Sequence, residues 1–113
     1  MGTEDQSGVR LYILIHASDR THFHSREVWQ VGLYGARIVM VFFDTDKADA
    51  FIRGLGERGV NVERHGVLDK DEWTAIMVGA KNAGATHVAY NPSERIPKRI
   101  PIDVAILDNE FFG

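Results

Sequence analysis

The chain predicts a small α/β domain, a mixed sheet of about five strands with two amphipathic helices, in the order β, hairpin or short helix, β, α, β, α, β, β. Three observations lead there. An apolar run from Ile38 to Phe43 passes through Asp44 and Thr45 straight into a segment with helical spacing. A second helix is announced by Asp69-Lys70-Asp71-Glu72 ahead of Trp73. The remaining apolar runs are short, rich in β-branched residues and bounded by Gly, Asn or Pro, as strands are.

Residues 1–8 are polar and acidic, with nothing apolar to tie them to a core, so they read as a flexible leader before one domain spanning 9–113. Val9 to His16 is largely apolar and bounded by Gly8 and by Ser18 to Thr21, which fits a buried first strand. Val28 to Tyr34 admits two readings. Trp29, Val31 and Leu33 alternate with Gln30 and Gly32, a two-residue period that favours a hairpin turning at Tyr34-Gly35-Ala36. A short helix capped by Ser25 is the alternative.

Ile38 to Phe43 is apolar at every position, the pattern of a central strand covered on both faces. Asp44 or Thr45 can then cap the free N–H groups of the next helix, and Asp46 and Asp49 place negative charge near its positive end. Ala48, Phe51, Ile52 and Leu55 make one apolar stripe, with Lys47, Arg53, Glu57 and Arg58 off it, and Gly56 or Gly59 ends the helix. Val60 to Arg64 alternates like a half-buried strand. Asp69 and Glu72 form a capping box for the second helix, whose stripe is Trp73, Ile76, Met77 and Ala80 and whose closing residue is Gly84. Thr86 to Tyr90 is a short strand ended by Asn91-Pro92. Arg95 to Pro101 carries two Ile-Pro pairs, which predict an extended connection outside any ladder. Ile102 to Leu107 follows as a last strand, before an acidic, aromatic tail.

Length and composition are those of one globular unit: 113 residues, 44% apolar and 26% charged. A chain of this size buries roughly two-thirds of its unfolded surface in a single core. The absence of cysteine excludes disulfides, thiolate metal sites and a cysteine nucleophile. No segment approaches the roughly 18 apolar residues that cross a bilayer, and the first eight residues lack the apolar centre of a secretory signal, so a cytoplasmic address is expected. A net charge of −3 gives no general attraction to nucleic acid or anionic lipid.

The order of elements resembles the N-terminal domain of SseB-type proteins over most of residues 9–110. The firmest matches are Val41-Phe42-Phe43-Asp44-Thr45-Asp46-Lys47-Ala48, at the family's strand and helix start, and Val88-Ala89-Tyr90-Asn91-Pro92, at its Asn-centred turn. The histidine-bearing segment 16–24 departs from that pattern. The resemblance implies a small α/β domain engaged in secretion-related or regulatory protein contacts, and it carries no catalytic residues over to this chain.

Chemistry is sparsely encoded. His16, Asp19, His22 and His24 lie within nine positions, and neutral imidazoles with a carboxylate can hold a divalent metal. Their spacing matches no established ligand motif, so a polar loop is preferred over a metal site or a histidine-based enzyme. Ser18 and Ser25 lack the Gly-flanked elbow of a nucleophile. The strand–helix junction Phe43 to Lys47 has two carboxylates and no glycine, which suits capping and opposes phosphate. No catalytic residue is assigned, and no cofactor is called for.

The remaining candidates are contact residues. Arg95, Lys98 and Arg99 form a basic strip on a net-negative domain, and Phe111 and Phe112 end the chain. Three charges supply little affinity for a polyanion, so a protein partner or self-association as a homodimer is preferred to nucleic acid. A contact with nucleic acid through Arg95 to Arg99, with Tyr90 as a stacking surface, is the further alternative.

Overall fold

A computed structural model describes residues 11–16, 28–91 and 99–107. Six strands and three helices occupy the described residues: β1 (Leu11–His16), β2 (Gln30–Leu33), β3 (Ala36–Phe42), α1 (Thr45–Gly56), β4 (Val62–Val67), α2 (Lys70–Asn82), β5 (His87–Tyr90), β6 (Arg99–Pro101) and α3 (Ile102–Leu107). The strands form one mixed sheet in the order β4-β1-β3-β5-β6, with β2 paired to the first part of β3. β3 and β5 are parallel; β1 runs antiparallel to both β3 and β4, and β6 antiparallel to β5.

It follows that β3, β4 and β5 point the same way, and that β3-α1-β4 and β4-α2-β5 are crossovers travelling across the sheet in opposite directions. Right-handed crossovers of opposite direction place their helices on opposite faces. The core divides accordingly. Val39 and Val41 of β3 join Leu11, Ile13, Val67, Val88, Trp73, Met77, Ile102 and Ala105 on the α2–α3 side. Ile38, Met40 and Phe42 join Leu14, Ala48 and Ala89 on the α1 side, where Trp29, Phe51, Ile52 and Leu55 pack against them. The unbroken apolar run in β3 thus reflects burial on both faces, with Ile38 to Phe42 all buried.

Local signals are used as their chemistry predicts. Asp44 is the cap of α1, its Oδ1 accepting the Asp46 N–H at 2.7 Å. Asp69 caps α2 by accepting the Glu72 N–H at 2.8 Å, and Glu72 Oε1 returns to the Leu68 N–H at 2.9 Å, one residue outside the cap. The hairpin reading of 28–36 holds: β2 and β3 pair around Tyr34 and Gly35, at φ 52° and 79°. Gly84 sits just past α2 at φ 108°, a conformation that other residues rarely adopt.

Two expectations fail, both near the C-terminus. Arg99–Pro101 is not outside the ladder but forms β6, with Ala89 opposite Arg99 and His87 opposite Pro101. An outermost strand tolerates proline because its missing N–H can face away from the sheet. Ile102–Leu107 is a helix and not a strand. Its first N–H goes to Thr86 O at 3.0 Å, and its inward residues Ile102, Ala105 and Ile106 follow i, i+3, i+4 spacing, which the β-branched composition had masked. The sheet therefore has six strands and is clothed by three helices. β4 also begins two residues later than the alternation at 60–64 suggested. Among the described residues, no helix is long and apolar enough to cross a membrane.

Candidate functional site

The surface with the clearest binding character is built by α2 and α3. Along α2, Trp73, Ile76, Met77 and Ala80 form the buried stripe, and Trp73 and Met77 are completely enclosed. In α3 the helical repeat turns Ile102 and Ala105 inward and sends Asp103, Val104 and Leu107 to the outer arc. Two bonds fix the pair of helices. The Trp73 indole N–H donates to Ala105 O at 3.0 Å, and Lys81 Nζ donates to Asp103 Oδ1 at 2.5 Å.

Three aliphatic side chains of these two helices stand in water. Leu107 is 81% exposed and Val104 52%, one turn apart on α3, and Val78 is 41% exposed on α2. Val104 and Leu107, at i, i+3 spacing on one helix, make the larger part of this exposed apolar surface, and apolar surface left in water is where contacts with a partner form. The Lys81–Asp103 pair supplies polar register at its margin, and both side chains are too solvated to add much affinity.

A second notable region lies at the carboxyl ends of the parallel strands. Phe43 stacks on Tyr90 with ring centroids 5.6 Å apart and planes 15° apart, and Tyr90 in turn lies 6.5 Å from Trp73. The Phe43 N–H donates to Asn91 Oδ1 at 2.9 Å, and the Asn91 N–H donates to Val41 O at 2.6 Å, so the turn after β5 is tied to the end of β3. This arrangement closes the strand ends and keeps the aromatic ladder in register. Among the described residues it brings no nucleophile or paired acid and base together.

Of the residues singled out in the sequence, His16, Tyr90 and Arg99 fall in the described part. Arg99 lies on β6, partly buried, and His16 ends β1 with its side chain exposed. Arg95, Lys98, Phe111 and Phe112, and likewise Asp19, His22 and His24, lie outside the described residues, as does Ser25. Among the described residues no group of three or more His, Asp or Glu side chains is placed to hold a metal ion. His65 and His87 each have a structural partner: His65 Nε2 meets Glu72 Oε2 at 2.9 Å, and His87 Nδ1 meets Thr86 Oγ1 at 2.8 Å.

Sequence reading missed Val78, Val104 and Leu107. The signal was present in the spacing of Ile102, Ala105 and Ile106, which assigns Val104 and Leu107 to the other side of a helix; read as a strand, the same segment alternates and hides them. No protein-family model matches the chain, and no curated protein matches it.

Proposed function

We propose that this is a protein-binding domain of the cytoplasm, with a regulatory role exercised through contact and not through catalysis, and that the α2–α3 seam is its contact surface. The observation that carries the reading is the exposure of Leu107 beside Val104 on a helix whose other side is fully committed to the core. Binding interfaces bury an apolar centre inside a polar rim, and Lys81, Asp103 and the exposed Lys70 and Asp71 of α2 supply such a rim. The resemblance of 41–48 and 88–92 to SseB-type N-terminal domains supports the same class of role.

The partner is a second protein that presents an apolar side chain to this seam. The test pairs Val104→Asp/Leu107→Asp with the wild-type chain in affinity capture from the native cell, with light scattering of each purified protein alongside. The reading expects a partner held by the wild type and lost by the double variant, with both melting alike. Identical captures from the two proteins sink it. A concentration-dependent dimer in the wild type that the variant abolishes identifies the partner as a second copy of this chain.

A further inference from the structure

On the face of the sheet opposite the α2–α3 seam, Arg99 has an unmet requirement. Its Nη1 is buried and has no hydrogen-bond partner among the described residues. A guanidinium carries five N–H donors and keeps its charge at any physiological pH, so a buried donor without an acceptor is a destabilising arrangement that native proteins rarely retain without use.

The register shows which face of the sheet its side chain leaves from. Arg99 is directly opposite Ala89, and Ala89 is beside Met40, so all three point to the α1 side of the sheet. α1 lies over β3 and β4, which leaves the β5–β6 flank of the same face beyond the helix. His87, opposite Pro101, shares that flank as the diagonal neighbour of Arg99, at about 7 Å by ordinary sheet geometry. His87 is partly exposed, and its Nδ1 is engaged by Thr86 Oγ1, so Nε2 is the nitrogen directed elsewhere. Arg99 and His87 of adjacent strands thus leave the sheet on one face, on a strip beside the buried Met40 and Ala89.

We infer that this strip is a binding site for a small oxyanion, a carboxylate or a phosphate group, received by the Arg99 guanidinium with His87 at its side. A planar guanidinium presents paired N–H groups that match two oxygens of such an anion, and the pairing satisfies the buried donor. The site is separate from the α2–α3 contact surface and stands or falls without it.

The test uses the full 113-residue chain, labelled for NMR, and titrates inorganic phosphate in one arm and succinate in the other at constant ionic strength. Saturable shifts of the Arg99 side-chain N–H and the His87 ring in either arm, weakened tenfold or more in Arg99→Gln, support the site and name its anion class. Linear shifts in both arms, or equal affinity in Arg99→Gln, overturn it. Arg99→Met gives a second readout that needs no ligand. Removing an unmatched buried donor while keeping an aliphatic stem raises the melting temperature of the anion-free protein if the site is as described, whereas a fall shows that Arg99 is a structural bond-former and overturns the inference.

Discussion

The indole N–H of Trp73 reaches across 3.0 Å to the carbonyl oxygen of Ala105, joining the first turn of α2 to the last turn of α3. Trp73 is wholly buried and Ala105 likewise, so this bond is shielded from water and has no ready replacement. The α2–α3 seam, and with it the exposed Leu107, is held in place by that contact.

Trp73→Phe keeps an aromatic ring at the site and removes the donor. It leaves the Ala105 carbonyl short of a partner and a void where the larger ring was. We expect a loss of about 2–3 kcal/mol from the combined unsatisfied acceptor and cavity, read by urea denaturation. Hydrogen exchange in the same variant should rise first in α3. A stability within about 0.5 kcal/mol of wild type shows that the bond is not what anchors the seam.

Asn91 performs two tasks at the end of β5, and both depend on its being asparagine. Its side-chain oxygen accepts the Phe43 N–H, and its backbone sits at φ 47°, which asparagine tolerates better than most residues. Asn91→Ala removes the acceptor and adds strain, for an expected loss of about 1–2 kcal/mol. Asn91→Gly removes the acceptor but relieves the backbone, so it should recover part of that loss. Equal stability of the Ala and Gly variants shows that the left-handed conformation contributes nothing measurable.

The C-terminal third shows where reading a sequence succeeds and where it stops. β3 and the two long helices were legible because hydrophobic periodicity, an Asp cap and a terminal glycine agree with one another at each, as in Asp44 with Ala48, Phe51 and Leu55. Beyond Pro92 the signals compete. Ile102 to Leu107 has the composition of a strand and the spacing of a helix, and at six residues the decision falls to tertiary context, here the pairing of Arg99–Pro101 with β5 and the Ile102 N–H bond to Thr86. The candidate contact surface depended on that decision. Arg99 was legible as a charged residue of interest, but its buried nitrogen is a property of the strand pairing that no local pattern encodes.

Glu72 ties α2 to β4 and to the turn between them through two oxygens: Oε1 accepts the Leu68 N–H at the entry to α2, and Oε2 meets His65 of β4 at 2.9 Å. Both side chains are about a third exposed, so the ionic part is screened and the hydrogen bond to the helix entry matters more. Glu72→Ala should lower stability by about 1 kcal/mol, as loss of a helix-start bond does. Glu72→Gln keeps an acceptor for Leu68 and should lose less than half of that. The opposite ranking in thermal melts assigns the main contribution to the carboxylate charge.

Two glycines predict changes of opposite sign under the same substitution. Gly54 lies inside α1, where a Cβ meets nothing within 4 Å, so Gly54→Ala gains helix propensity without a clash and should stabilise by about 0.5–1 kcal/mol. Gly84 terminates α2 at φ 108°, and a Cβ there comes 3.1 Å from Arg37 Nη1. The end of an arginine side chain can swing away, so the clash itself is minor. The backbone cannot change without breaking the turn that feeds β5, where the Ala85 N–H donates to Ala80 O and the Thr86 N–H to Arg37 O. Gly84→Ala should therefore destabilise by about 1–2 kcal/mol. For a domain of this size 1 kcal/mol moves the melting temperature by about 4 °C, so the two variants should separate by at least 6 °C in parallel calorimetric scans. If both variants melt on the same side of wild type, the assignment of Gly84 to a left-handed helix terminus is wrong.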